Sequence, residues 1–336
     1  MRAKDAFSSQ ARFGSKADMC SALGDVRFVP RADIDARGQL QYIPRHNVQR
    51  VAMRHPISKT IAATATGFLL LAAVSAAAVP TVRHIASGWW NNPEKLVALP
   101  ENPQVHYESG ASEQARTVAR LLPTAIARVE SIHGRRFAHP VVVGAYVTPE
   151  AFVAANGLGD RRAVGMHFLG RVMLSPVLFS TQRQRLPAML THELSHAHLR
   201  SWISELTFIG LPNWFKEGLA VMVSGGGGAE GVSELQARDA IRHGDHIAIQ
   251  STGSLLNLAV IKFEQPPENP NTSFRILMAY RQAGLFVTFL HDTNPDGFAR
   301  MINAILDGSP FAEAVMTGYE TDLHKLWSRF VQANEN

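Results

Sequence analysis

The segment His192-Glu193-Leu194-Ser195-His196 constrains this chain more than any other. Read on a helix, positions i and i+4 share one face, so His192 and His196 can grip a single ion from one element. This is the H-E-x-x-H pattern of a helical zinc site, in which Glu193, beside the first ligand, can take a proton from a water at the metal. Zinc prefers nitrogen and carboxylate ligands, and a hydrolytic site keeps three protein ligands and a water. The pattern therefore demands a helix here and a further ligand from another segment. Glu217, in Pro212-Asn213-Trp214-Phe215-Lys216-Glu217-Gly218-Leu219-Ala220, is the candidate.

The chain has fourteen His, so the local context must support the assignment. Residues 186–200 read as a helix: Pro187 suits a first turn, and Leu186, Met189, Leu190, Leu194, Ala197 and Leu199 supply apolar surface. The bland reading is a buried helix whose histidines only satisfy hydrogen bonds, but two His and a Glu on a packed helix are costly without a task. His198 falls about 200° around the helix from His196 and should point away from the metal, as a structural or surface residue. A further extension, with Gly three and His six residues after the second ligand, is missing: those positions are Leu199 and Trp202.

His192-Glu193-x-x-His196 with the downstream Trp214-x-x-Glu217-Gly218-x-Ala220 resembles the gluzincin peptidases, and most closely their peptidase MA-like branch. The resemblance implies that Glu217 completes a zinc site with His192 and His196, and that Glu193 is the general base. The small Gly218 and Ala220 would let two helices pack closely. Some gluzincins carry an Asp four residues after the ligand Glu to orient a ligand His; here that residue is Val221, which leaves the orienting partner unassigned. In related gluzincins a Tyr from a later helix stabilises the tetrahedral oxyanion, and Tyr280, in Met278-Ala279-Tyr280-Arg281-Gln282, has a similar place. The alternative for Tyr280 is an ordinary core tyrosine. The family order also fits: residues 140–147 read as a buried strand and 163–175 as a hairpin turning near Gly170, ahead of the zinc helix. Zincin domains place a small sheet there, and its edge strand binds substrate backbone. The implied fold is α+β, with a zincin-like catalytic domain, the small sheet first and a mostly helical C-terminal half. The implied activity is zinc-dependent hydrolysis of a peptide or protein substrate. The alternatives are a non-catalytic, zinc-stabilised envelope protein that binds a partner through the same cleft, and hydrolysis of a non-peptide amide.

Charge is unevenly placed. Residues 1–60 carry eleven Lys or Arg against five Asp, whereas residues 61–336 carry twenty-two basic and twenty-three acidic residues. The main part thus has no bias toward nucleic acid. A single cysteine, Cys20, excludes a disulfide framework or a Cys-based metal site. The expected organisation is a basic tail over 1–60, an apolar segment over 61–79, a linker over 80–104 and the peptidase domain over 105–332. Residues 61–79 hold no charge and are long enough to span a bilayer. Arg45, Arg50, Arg54 and Lys59 precede them, which by the positive-inside rule puts the zinc domain outside the cytoplasm on a membrane anchor. Trp89 and Trp90 would then lie at the interface. Started at Met53, the same stretch reads as a signal peptide cleaved near Ala78, giving a secreted protein.

Further along, Ser112 is expected to cap an amphipathic helix over 112–133 with a kink at Pro123. Gly225 to Gly228 read as a flexible loop beside the cleft, and as a candidate lid. His243 and His246 are weaker candidates for substrate contact. Residues 273–291 are expected to be helical, with two closing helices after them over 296–306 and 311–332.

Overall fold

The computed structural model describes residues 79–253, 260–265 and 272–335, all within the larger of the chain's two units, Ala62–Asn336. The fold is a helical α+β arrangement around one small sheet. Its strands are β1 (Val97–Leu99), β2 (Asn102–Tyr107), β3 (Val142–Ala145), β4 (Gly165–Phe168) and β5 (Arg171–Leu174). The five strands are ordered β1-β2-β3-β5-β4. β2, β3 and β5 run parallel, and β1 and β4 pair antiparallel at the two edges. Both parallel contacts need crossovers, and α2 (Ser112–His133) and α3 (Pro149–Ala155) lie in them. The β4–β5 hairpin turns at Leu169 and Gly170, both with positive φ, as expected for the turn near Gly170.

The central helix, α4 (Leu186–Trp202), is buried on almost every side. Leu190, Leu194 and Leu199 are fully enclosed, and such side chains contribute about 1.5–3 kcal/mol each on burial. The α2 helix covers one face with Ala115, Val118, Leu122 and Val129. It runs without a break through Pro123, and Ser112 is its first helical residue rather than its cap. Strand β4 lies against α4 along the outer edge of the sheet.

The α6 helix (Asn213–Ser224) packs between α4 and α8 (Thr272–Thr293). Gly218 and Gly284 permit the second contact: a Cβ at Gly218 would stand 2.5 Å from the Ala283 carbonyl oxygen, and one at Gly284 2.5 Å from Val221 Cγ1. Trp214 of the motif is a core residue, its ring against Phe215, Phe286 and Phe311 and its Nε1–H on the Gln250 carbonyl at 2.8 Å. Between these come α5 (Glu205–Gly210) and α7 (Glu234–Arg242), and the chain closes with α9 (Pro295–Leu306), α10 (Phe311–Tyr319) and α11 (Leu323–Glu335). The expected single helix over 311–332 is split, because Glu320 takes a left-handed conformation at φ 54° and ends α10.

Two expectations are corrected. The 80–104 stretch, read as a linker, forms the α1 helix (Pro80–Trp90), β1 and the start of β2. Its prolines open elements rather than prevent them: Pro80 and Pro93 occupy first-turn helical positions. The second correction concerns the membrane anchor and the extracytoplasmic placement built on it. Among the described residues no helix is long and apolar enough to cross a membrane. The expected span over 61–79 lies, apart from Val79, outside the described residues. At Val79 the backbone is extended, and α1 begins at Pro80; its eleven residues reach about 16 Å, roughly half a hydrocarbon core.

Candidate metal centre

His192, Glu193 and His196 all project from α4, and Glu217 arrives from α6. One ligand atom from each of His192, His196 and Glu217 can be chosen so that all lie within 4.8 Å of one another. The tighter distances are more informative. The two Nε2 atoms are 3.3 Å apart, and Glu217 Oε2 lies 3.3 Å from His192 Nε2 and 3.5 Å from His196 Nε2. Ligands at the usual zinc distances in a tetrahedron are separated by about 3.3 Å. The three atoms thus outline one face of such a tetrahedron, and the group could hold a metal ion. The donor set, two imidazoles and a carboxylate, fits a borderline ion such as zinc.

The orienting partner that the motif left unassigned is a backbone carbonyl. His192 Nδ1 donates to Gly227 O at 2.8 Å, which leaves Nε2 unprotonated and turned to the cluster. The four glycines make this approach possible. Gly225, Gly226 and Gly228 have φ of 70°, 105° and 86°, and a Cβ at Gly228 would stand 2.9 Å from His192 Cε1. The run is packed rather than loose. Gly227 N–H donates to Ser224 Oγ at 3.0 Å, and Arg281 of α8 clamps the following turn through the Ala229 and Val232 carbonyls. Val221, at the position of the expected Asp, faces Gly284 instead.

Glu193 is enclosed, only 5 % exposed. Gly165 of β4 gives its carboxylate room: a Cβ there would stand 2.9 Å from Glu193 Oε1. Burial pushes the Glu193 carboxyl above its ordinary value, against the pull of His192 and His196. Glu217 goes the other way. Burial raises it, but the two histidines outweigh burial and hold it well below the usual carboxylate range. Two neighbouring carboxyl groups are thus shifted in opposite directions.

Tyr280 comes from α8 and stacks on His192, ring centres 6.3 Å apart and planes within 9°. Burial, then the Glu217 and Glu193 carboxylates, pushes the phenol up. The structure therefore brings Tyr280 to the cluster. His243 and His246 are not brought there: His243 bonds the Asp239 carbonyl of its own turn, and His246 packs on Trp327.

His198 turns away from the cluster, as its spacing requires, into a buried network. Its Nε2–H donates to Arg135 O at 2.9 Å, leaving Nδ1 to accept from His133 Nδ1–H at 2.8 Å. His133 Nε2 in turn accepts from Ser195 Oγ–H at 3.1 Å. Every proton has a place with both rings neutral, and burial lowers both imidazoles below their ordinary value. The network ties the far side of α4 to the end of α2. Gly165, His167, Phe208 and Gly227 also surround the site, and sequence reasoning missed them. Only the glycine run gave a signal, and it read as flexibility.

Comparison with family models, curated proteins and solved structures finds no match to this chain.

Proposed function

We propose that the chain is a zinc-dependent metallopeptidase of the gluzincin type. The observation that carries the reading is the tetrahedral spacing of His192 Nε2, His196 Nε2 and Glu217 Oε2 with a spare carboxylate, Glu193, one residue from the first ligand. A purely structural metal site has no use for that carboxylate. The edge strand supports the reading too. β4 lies antiparallel to β5 beside α4, and Gly165 and His167 face the catalytic helix while Met166 and Phe168 face the opposite layer. Such an edge can receive an extended peptide by strand addition.

When bound, zinc would supply Lewis acidity, polarising the scissile carbonyl and easing ionisation of water. The protein does the rest. Glu193 removes a proton from the attacking water and delivers it to the leaving amine. Tyr280 donates its phenolic O–H to the developing oxyanion. Gly227 holds the His192 tautomer throughout.

The test is metal content of the full-length chain by mass spectrometry. One zinc per chain is expected, lost in Glu217→Ala. Glu193→Gln should keep the zinc and lose chelator-sensitive hydrolysis of a peptide pool by about a hundredfold or more. Folded, metal-replete wild type without zinc would refute the site, and full turnover in Glu193→Gln would refute the base.

A further inference from the structure

Lys216 is a buried ammonium with no carboxylate of its own among the described residues. It is 4 % exposed, and its Nζ donates to the Phe208 carbonyl at 3.3 Å and lies 4.7 Å from the centre of the Phe208 ring. An ammonium has three N–H donors, and a buried charge is costly unless paired. The two carboxylates whose charge it feels are Glu217 and Glu205. Both are committed, Glu217 to the metal histidines and Glu205 to Arg200 at 2.9 Å.

The same Phe208 ring borders the metal cluster. Its centre is 6.4 Å from that of His196 and 5.4 Å from that of His167. His167 points from β4 to the same side as Gly165, toward α4. Its Nε2 accepts the Gly170 N–H at 3.0 Å, which puts the ring proton on Nδ1. Among the described residues that Nδ1–H has no acceptor, and the ring is only half-buried. A buried cation and an unused neutral donor therefore gather around one aromatic ring on the His196 side of the cluster, while Tyr280 covers His192.

We infer that this corner binds a carboxylate of the substrate, accepted jointly from Lys216 Nζ and His167 Nδ1, so that the enzyme acts on peptides with a negative charge beside the scissile bond. The inference rests on the metallopeptidase reading. A carboxylate has two oxygens and suits two donors, and it would supply the anion that Lys216 lacks. The charge can come from a chain-terminal carboxylate or from an Asp or Glu side chain; the chemistry at the corner is the same.

Zinc-loaded, full-length protein should be titrated with two matched series of alkyl hydroxamates of increasing length, one ending in a carboxylate and the other in a carboxamide. At the best-fitting length the carboxylate should bind about tenfold to a hundredfold more tightly. The ratio should fall toward one in His167→Phe and in Lys216→Met, with zinc content unchanged. His167→Phe keeps a ring against Phe208 and carries the test alone if Lys216→Met does not fold. A ratio near one in the wild type, or a ratio unchanged in His167→Phe, overturns the inference. Absence of zinc uptake, or of any hydroxamate binding, is a separate failure that removes the metal reading itself. Cleavage of a peptide pool then distinguishes the two sources. Loss on C-terminal amidation marks the chain end, loss on Asp or Glu to Asn or Gln exchange marks the side chain, and insensitivity to both overturns the inference.

Discussion

Replacing Gly218 by Ala sets two physical effects of opposite sign against each other at a position next to Glu217 of the candidate metal cluster. Helix propensity favours the change, since Ala in a helix interior is better than Gly by about 1 kcal/mol. Packing opposes it. The new Cβ would stand 2.5 Å from the Ala283 carbonyl oxygen and 2.9 Å from Val287 Cγ2, and the first of these is backbone of α8, which no side-chain rotation can relieve. Ordinary contact would require α6 and α8 to separate by close to an ångström, and overpacking of this kind typically costs about 1–3 kcal/mol. The net expectation is destabilisation by about 1–2 kcal/mol, which for a unit of this size lowers Tm by about 2–8 °C. Because Glu217 is the preceding residue, displacement of α6 also moves a ligand, so zinc should bind more weakly. Gly210→Ala is the control, because among the described residues a Cβ there meets nothing within 4 Å. It should be neutral or slightly stabilising. Urea unfolding of the metal-free proteins, with zinc titration beside it, measures both quantities. If Gly218→Ala were as stable as the wild type or more so, the close α6–α8 contact would be wrong, and with it the account of how Glu217 is positioned.

Other consequences are as direct. Tyr280→Phe should leave zinc affinity nearly unchanged and lower kcat by about a hundredfold or more; unchanged kcat would make the stacked tyrosine a structural residue. Gly228→Ala strains a backbone at φ 86° and crowds His192, so zinc affinity should fall by about tenfold to a hundredfold in equilibrium competition with a chelator. His133→Phe leaves Ser195 Oγ–H and His198 Nδ1 buried without partners, a cost of about 1–3 kcal/mol for each group. That loss should depend on pH. Burial holds His133 below its ordinary value, so its stabilising share is complete above about pH 6.5 and is lost as pH falls toward the folded-state value. The stability gap between wild type and His133→Phe should therefore shrink between about pH 7.5 and about pH 5. A constant gap would show that the pair is not held neutral.

The parts of this molecule legible in its sequence are those governed by local periodicity. The spacing of His192 and His196 states which helix face holds the ligands, and the same arithmetic turns His198 away. The β4–β5 hairpin was readable because Gly170 marks its turn, and α6 ends at Gly225, where a left-handed residue is needed. The errors share one cause. Pro93, Pro100 and Pro103 suggested a linker because proline interrupts elements, yet Pro93 opens a short helical turn, where the missing N–H has no cost, and Pro103 lies within β2. The glycine run suggested mobility, although three of its residues are glycine to satisfy φ and close approach to His192.

Sequence alone therefore marked the helix that carries His192, Glu193 and His196 and the small residues at the helix crossing, because each depends on neighbours a few positions apart. Only the tertiary structure decided that Glu217 reaches the two histidines at tetrahedral spacing, that Gly227 orients His192, and that His133 seals the far side of α4. It alone left Lys216 buried beside the site, with no carboxylate of its own among the described residues. These are contacts between residues distant in the chain, set by how helices and strand edges pack. Packing depends on shapes summed over the whole core, which no local pattern encodes.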